Sequence, residues 1–589
     1  MDISRAASQI IDIGIALNAE RDLDRLMEKI LFEAIDLCAA DGGTFYRTEG
    51  DQLNFEILRT KSLDIHQGGS SGEPVSLPPI SLFTEEGHPR TENIVTFAAN
   101  TKQTVKVDDV YGSDEFDFTG TKRFDQGMGL KGFKSQSFLT VPLQNHKGSV
   151  IGVLQLLNHV DETTGSVTAF PDELTPLIEA LAGLAGVLLD NAILVDELQA
   201  INQSFIRLIA SALDAKSPYT GGHCVRVPAI AEMLTEAAHQ VKTGPFANFS
   251  LSENDREELF VASWLHDCGK ITTPEYVVDK ATKLETITDR IHEIRTRFEV
   301  AKREAEIRCL KEILAGGDPD ELNETLEQEL AQIDDDFAFI AQTNQGSEFM
   351  DTAAKDRLAQ VAQRKITRTL SNREGVSFAE QKRMARIKAP ELPVLEPILE
   401  DRPDHLVDWD FQPYSLDPDN PYGFKMSAPE YKFNLGELHN LSIGRGTLTE
   451  EERFIINDHI VQTTVMLEAI PWPRHLSRVP EIACGHHEKM DGTGYPRKLI
   501  GDDMSIQAKV MAIADVFEAL TAADRPYKPR KTLSESVKIM GFMVKDQHLD
   551  RDLFELFLDS GVYRQYGEDH LLPDQVDEID LDAVKALYR

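Results

Sequence analysis

The run His486-His487-Glu488-Lys489-Met490-Asp491-Gly492-Thr493-Gly494-Tyr495-Pro496 constrains this chain more than any other stretch. It sets two adjacent imidazoles, nitrogen donors suited to transition metals, beside a carboxylate and a glycine-punctuated loop that closes on an aromatic residue and a proline. Upstream, His266-Asp267 lies in the apolar stretch Leu259, Phe260, Val261, Trp264 and Leu265 and is followed by Gly269 and Lys270. Neighbouring helical residues are about 100° apart, so the spacing predicts a helix from which His266 and Asp267 reach one cluster while Leu265 faces the core. His223, His459 and Asp515 bring the nitrogen and carboxylate donors to seven. One tetrahedral ion takes about four ligands, so the set suits a bridged two-metal site with Asp267 as the bridge.

Five stretches together carry a resemblance. They are Pro218-Tyr219-Thr220-Gly221-Gly222-His223 with Arg226-Val227, then His266-Asp267-Cys268-Gly269-Lys270, then His459, then the run from His486 to Pro496, and last Ala514-Asp515-Val516-Phe517-Glu518-Ala519-Leu520 with Arg525-Pro526-Tyr527. In order and internal spacing they resemble the HD-GYP family of metal-dependent phosphohydrolases, associated with hydrolysis of the bacterial messenger cyclic di-GMP. The resemblance implies an all-α HD-type phosphohydrolase domain built from residues 205–285 and 440–589. It implies His223, His266, Asp267, His459, His486, His487 and Asp515 as ligands of two divalent ions, iron being favoured and manganese the alternative. Such a pair would activate a bridging hydroxide and clamp the phosphodiester, giving pGpG and/or GMP. Lys270 and Asp267 would take part in the chemistry, Asp267 as the bridge between the ions and Lys270 as a fixed positive charge beside the phosphate. Gly494, Tyr495 and Pro496 would shape the nucleotide side of the site, and Arg525 and Lys528 would hold the distal phosphate or a guanine edge. The plainer alternatives are a cation at a helix C-terminus for Lys270 and solvated loop charges for Arg525 and Lys528.

The departures from the family pattern are informative. Some members carry a third-metal glutamate where this chain has Tyr219, which predicts two metals here instead of three. Thr463 replaces a family glycine, and Cys268 follows the His-Asp pair; neither removes a ligand. Two other readings compete with the enzyme: a non-catalytic cyclic di-GMP receptor, and an HD hydrolase of another phosphate ester. The intact ligand set speaks against the first, and the Gly494-Tyr495-Pro496 and Arg525-Pro526-Tyr527 segments against the second.

The N-terminal part alternates helix and strand patterns, with helical spacing over residues 4 to 40, a hairpin from Gly42 to Leu58 turning at Gly50-Asp51, and strands at 104–107, 137–143 and 150–157. Ser137-Phe138-Leu139-Thr140-Val141-Pro142-Leu143 followed by Ile151-Gly152-Val153-Leu154-Gln155-Leu156-Leu157-Asn158 resembles the core hairpin of a GAF domain. That implies an α+β sensor over residues 1–190. Asn158-His159, Phe170 and Asp172-Glu173 match the cyclic-nucleotide signature of such domains only in part. Residues 177–210 read as one connecting helix with a near-heptad series from Leu177 to Ile209, and polar Asn191 and Asn202 on that seam suit register-setting in a homodimer.

His266 and His459 are about 190 residues apart, far beyond an ordinary loop, so residues 286–439 are an insertion. Ile287, Ile291, Ile294 and Phe298 open one amphipathic helix; Gly316-Gly317 ends it, and Asp318, Pro319 and Glu321 start a second. A third helix is expected from Asp351 to Ile387, then a proline-rich stretch to Pro429, with Thr449 and Glu452 starting the helix that carries His459. The insertion suits a partner-docking arm or a cover over the site, with a solvated spacer as the plain alternative. The expected architecture is thus multidomain: an α+β GAF sensor, then an all-α HD-type domain with a large helical insertion.

The formal charge of -38 argues against binding nucleic acid polymers or anionic membranes, so local cations must attract an anionic substrate. The first residues lack a signal-peptide pattern, and the apolar run from Leu181 to Leu189 is short for a bilayer. With five cysteines and no CxxC pair, a cytoplasmic setting without membrane insertion is expected.

Overall fold

The computed structural model describes all residues except 1–2, 21, 128–132, 162, 217–221, 347–348, 418 and 523–529. The chain divides into two units, Met1–Asn202 and Gln203–Arg589. The first is an α+β domain around one antiparallel sheet. Its strands are β1 (Ala40–Glu49), β2 (Gln52–Thr60), β3 (Ile65–Gly68), β4 (Ile80–Ser81), β5 (Val105–Val107), β6 (Phe138–Gln144), β7 (Val150–Val160) and β8 (Val167–Thr168). They lie in the order β3-β2-β1-β7-β6-β5, with β4 on β2 and β8 on β7. β1 and β2 are the hairpin expected from Gly50-Asp51, and Gly50 takes a left-handed φ of 56° at its turn. Alternation along the strands sends Phe45, Leu154 and Leu156 toward Leu26, Ile30 and Ile35 of helix Leu23–Leu37, and Tyr46, Leu53 and Val153 toward helix Ile94–Thr101.

Helix Thr175–Asp214 follows, with Ile178, Leu181, Ala185 and Leu189 in the sheet's core and Leu194, Leu198, Ile201, Phe205 and Leu208 exposed. The expectation that its apolar run is short does not extend to the whole helix. On length and composition alone Asp172–Asp214 can cross a membrane, with a mean hydropathy of 1.8 over its most apolar window, of which 33% is buried.

The second unit is mostly helical. Helices His223–Gln240, Glu253–Leu265, His459–Glu468, Val479–Cys484 and Ile506–Thr521 pack around Val227, Ile230, Val261, Ile460, Ile482, Ile513 and Phe517. Helices Leu533–Lys545, Arg551–Asp559 and Val562–His570 close this core with Met540, Phe554, Phe557 and Tyr566.

Between them, helices Ile291–Leu314 and Pro319–Asn344 form a hairpin laced by Lys302–Asp334 and Arg308–Glu329 ion pairs. Asp318 caps the second helix, accepting from the Asp320 amide. The expected third helix is instead two short ones, Thr352–Ala362 and Phe378–Met384, separated by strand Lys365–Arg368, which pairs with Val394–Pro397. The β-branched pair Ile366-Thr367 and the turn residues Asn372 and Gly375 win there over helical periodicity. With a second ribbon, Leu406–Val407 on Phe433–Asn434, the insertion is not wholly helical. Its two ends are clasped by buried lysines. Lys280 Nζ donates to both Glu452 oxygens at 2.8 Å, and Lys283 Nζ donates to the Leu441 and Ile443 carbonyls at 3.0 and 2.8 Å.

Two helix boundaries depart from the sequence reading. Helix Glu253–Leu265 ends before His266-Asp267, which stand at the junction with the 3-10 turn Cys268–Thr272. The Thr449–Glu452 capping box starts a helix that stops at Asn457, and His459 opens the next one. The 3-10 turn meets helix His459–Glu468 so closely that a Cβ on Gly269 would lie 1.9 Å from the His459 carbonyl oxygen. Thr463 ties the two segments together, since its Oγ1 accepts the Gly269 amide at 2.9 Å. Gly269→Ala should therefore destabilise the fold by about 2 kcal/mol through forced separation of the two segments. Denaturant unfolding of the full chain measures this; an unchanged midpoint would contradict so close an approach.

Candidate metal centre

Asp267 lies at the centre of the site and is almost completely buried. Its Oδ2 stands 3.1 Å from His223 Nε2, 3.2 Å from His266 Nε2 and 2.5 Å from Lys270 Nζ, while its Oδ1 stands 3.2 Å from His459 Nε2. Asp515 Oδ1 is 3.4 Å from His223 Nε2, and His487 Nε2 is 3.3 Å from His459 Nε2. Two groups of donors result: His223, His266 and Asp267 on one side, His459, His486 and His487 on the other.

The far nitrogens show how the rings are held. Nδ1 of His266, His459 and His486 donates to the carbonyl three residues back, of Ser263, Ile456 and Ala483, at 2.7, 2.5 and 2.6 Å. His223 Nδ1 bonds Glu518 Oε2 at 2.5 Å, and Glu518 Oε1 accepts from Arg226 at 2.7 Å. A ring whose Nδ1 is committed in this way presents Nε2 as its ligand atom. Among the described residues, Nε2 of His266 and of His486, with Asp267 Oδ1, are buried and without a hydrogen-bond partner. Donor atoms bound about 2.1 Å from one cation at right angles sit about 3 Å apart, so the observed spacings and the orphaned atoms fit divalent metals.

Electrostatics agree with this. Burial alone would push the Asp267 carboxyl up, but Lys270, His266 and His223 hold it well below the usual carboxylate range. Burial and the neighbouring His266 push His486 down to about 4, and burial with His486 and His459 pushes His487 well below the usual imidazole value. Burial also disfavours charge on His223, but hydrogen bonds to Asp267 and Glu518 outweigh it and raise His223 to about 10.

The loop after the doublet is folded by Glu488, which accepts the Arg497 and Leu499 amides at 2.6 and 2.9 Å. A Cβ on Gly494 would lie 2.4 Å from the Lys489 nitrogen, so only glycine permits this turn. Tyr495 then stacks on His487, with centroids 4.8 Å apart. The structure thus gathers all seven expected donors, with Lys270 and Tyr495 beside them. Arg525, Lys528 and Tyr219 lie outside the described residues. Glu518 escaped the sequence reading as a partner of His223. The signal was its position one helical turn after Asp515 on the same helix.

Comparison with known proteins follows the same division. Residues 22–189 match the GAF domain family, and residues 220–338 and 393–553 match HD domain families. The two HD matches flank one site, since ligand candidates from both meet at Asp267. The chain combines a GAF domain with an HD-type region. Among curated proteins, it is 36% identical over 128 residues to 3'3'-cGAMP-specific phosphodiesterase 1 of Vibrio cholerae serotype O1, covering 21% of this chain and 29% of that one. It is 40% identical over 150 residues to 3'3'-cGAMP-specific phosphodiesterase 2 of the same organism, covering 23% and 28%. It is 32% identical over 119 residues to the cyclic di-GMP phosphodiesterase PA4108 of Pseudomonas aeruginosa, covering 20% and 28%. The chain spans less than a third of the length of these relatives.

At neutral pH the metal-free site holds a proton on His223 that a cation must displace, whereas His486 and His487 are already neutral. Metal affinity should rise with pH up to about 10, by roughly tenfold per unit, as that proton is lost. Manganese titrations at several pH values measure it; a pH-independent affinity would contradict the arrangement.

Proposed function

We propose that the protein is a metal-dependent phosphodiesterase that hydrolyses cyclic di-GMP to pGpG and/or GMP. The observation that carries this reading is the clustering of six further imidazole and carboxylate donors around Asp267 next to the Tyr495 loop. His223, His266, Asp267, His459, His486, His487 and Asp515 would hold two divalent ions, iron or manganese. Such ions supply charge neutralisation for the phosphodiester and acidify water at the site.

The chain's own residues do the rest. Glu518 fixes the His223 ring, and three backbone carbonyls fix the rings of His266, His459 and His486. Lys270, whose ammonium lies against Asp267, adds a fixed positive charge that the phosphate meets as its own charge builds. Gly494, Tyr495 and Pro496 form a wall for the nucleotide, and Arg525 and Lys528 hold the distal phosphate or a base edge. These cations work against the overall charge of -38, so substrate affinity falls with salt.

The remaining assignments follow from the same reading. Residues 1–190 form a regulatory GAF domain, 177–210 the signalling helix, 205–285 with 440–589 the catalytic domain and 286–439 the insertion. The exposed apolar residues from Leu194 to Leu208 pair with a second copy of the helix in a cytoplasmic homodimer. A second substrate, 3'3'-cGAMP, is favoured by the names of two of the relatives.

Protein loaded anaerobically with iron(II) or manganese and mixed with each dinucleotide should yield linear products resolved by chromatography, with cyclic di-GMP turned over faster. Tight binding without product would favour a receptor. Neither binding nor product would sink the substrate assignment.

A further inference from the structure

The insertion lines one side of an open cavity of about 360 Å³, within the range of small-ligand sites. Trp409, Phe411 and Tyr414 line it from the insertion, and Asp458 and Gln462 from the HD-type region. Thr272 also contributes, at the end of the 3-10 turn that carries Lys270. Asp458 immediately precedes His459, so the cavity abuts both segments that bring ligand candidates to Asp267 from this side.

The aromatic wall is held in place. Trp409 Nε1 donates to the Pro429 carbonyl at 3.0 Å, and its ring meets Phe454 edge-on with centroids 5.7 Å apart. Downstream, the same insertion segment is tied to the substrate loop: the Lys425 amide donates to the Pro496 carbonyl at 2.8 Å, and Arg497 Nε donates to the Tyr422 carbonyl at 2.9 Å. Phe424 and Met426 pack there with Val461 and Tyr495. Phe411, by contrast, is 88% exposed. A large aromatic ring left in water beside an aromatic-lined cavity is a stacking face without its partner.

The polar wall has a matching deficit. Asp458 Oδ2 accepts from Gln462 Nε2 at 3.0 Å, but its Oδ1 is buried with no hydrogen-bond partner among the described residues. A buried carboxylate oxygen left unpaired is costly, and a ligand N–H donor removes that penalty. Guanine supplies two adjacent donors on one edge, N1–H and the N2 amino group, together with flat faces that stack on aromatic rings. Adenine has no donor at either of those positions.

We infer that the insertion builds a guanine-binding subsite, in which a base stacks on Phe411, Trp409 and Tyr414 and donates to Asp458. The inference rests on the cyclic di-GMP reading and deepens it: the insertion becomes part of substrate recognition. It also extends the nucleotide wall beyond Tyr495.

GMP and AMP carry the same phosphate, so their difference reports the base. Isothermal titration of the metal-free full chain should give at least tenfold tighter binding of GMP than AMP. Asp458→Asn, nearly isosteric, should abolish that preference. Phe411→Ala, at an exposed position that the fold does not need, should weaken GMP about tenfold through lost stacking. Equal affinities in the wild type, a preference that survives Asp458→Asn, or unchanged GMP binding in Phe411→Ala would each overturn the subsite. Cyclic di-GMP turnover, measured on the same metal-loaded wild type, separates the two claims. A guanine preference without turnover supports the subsite and sinks only the enzymatic reading, whereas turnover without the preference overturns the subsite alone.

Discussion

A carboxylate taken out of water survives only if charge and hydrogen bonding surround it, and the second unit is organised around that requirement at Asp267. Three imidazoles and one ammonium converge on its two oxygens. Meeting them requires the turn Cys268–Thr272 to press against helix His459–Glu468, which explains why position 269 has no side chain and why Thr463 offers a hydroxyl to its amide. The repeated bond from Nδ1 to the carbonyl three residues back then aims the imidazoles inward. The cluster is therefore assembled by backbone geometry as much as by the side chains that compose it.

Much of this site was legible in the sequence because its residue types are chemically restrictive. Histidines and aspartates in five ordered motifs leave few other uses, and all seven donors meet. What stayed hidden depends on partners that carry no type signature. Backbone carbonyls of Ser263, Ile456 and Ala483 are invisible in a string of letters. Glu518 reads as one acid among many until its helix turns it toward His223. The breaks before His266 and before His459 were missed since the apolar spacing runs through them, and tertiary closure around Asp267 decides where each helix stops.

The same contrast holds for the fold. The β1–β2 hairpin, β6 and β7 could be read from alternation and turn residues, and the long helix from its heptads. The insertion was legible as a helical hairpin but not beyond, because its later half is fixed by contacts with distant elements. Lys280 and Lys283 clasp its ends, and Tyr422 to Met426 lie against the loop that follows the histidine doublet. The insertion thereby packs against that loop.

The central claim is that one buried carboxylate organises two metals. Counting metal bound per chain in the full-length protein, by elemental analysis after manganese loading and removal of excess, tests it most directly. Two equivalents in the wild type, with both lost in Asp267→Ala while the helical content is retained, is the predicted result. A single equivalent in the wild type, or two that persist in Asp267→Ala, would contradict the account.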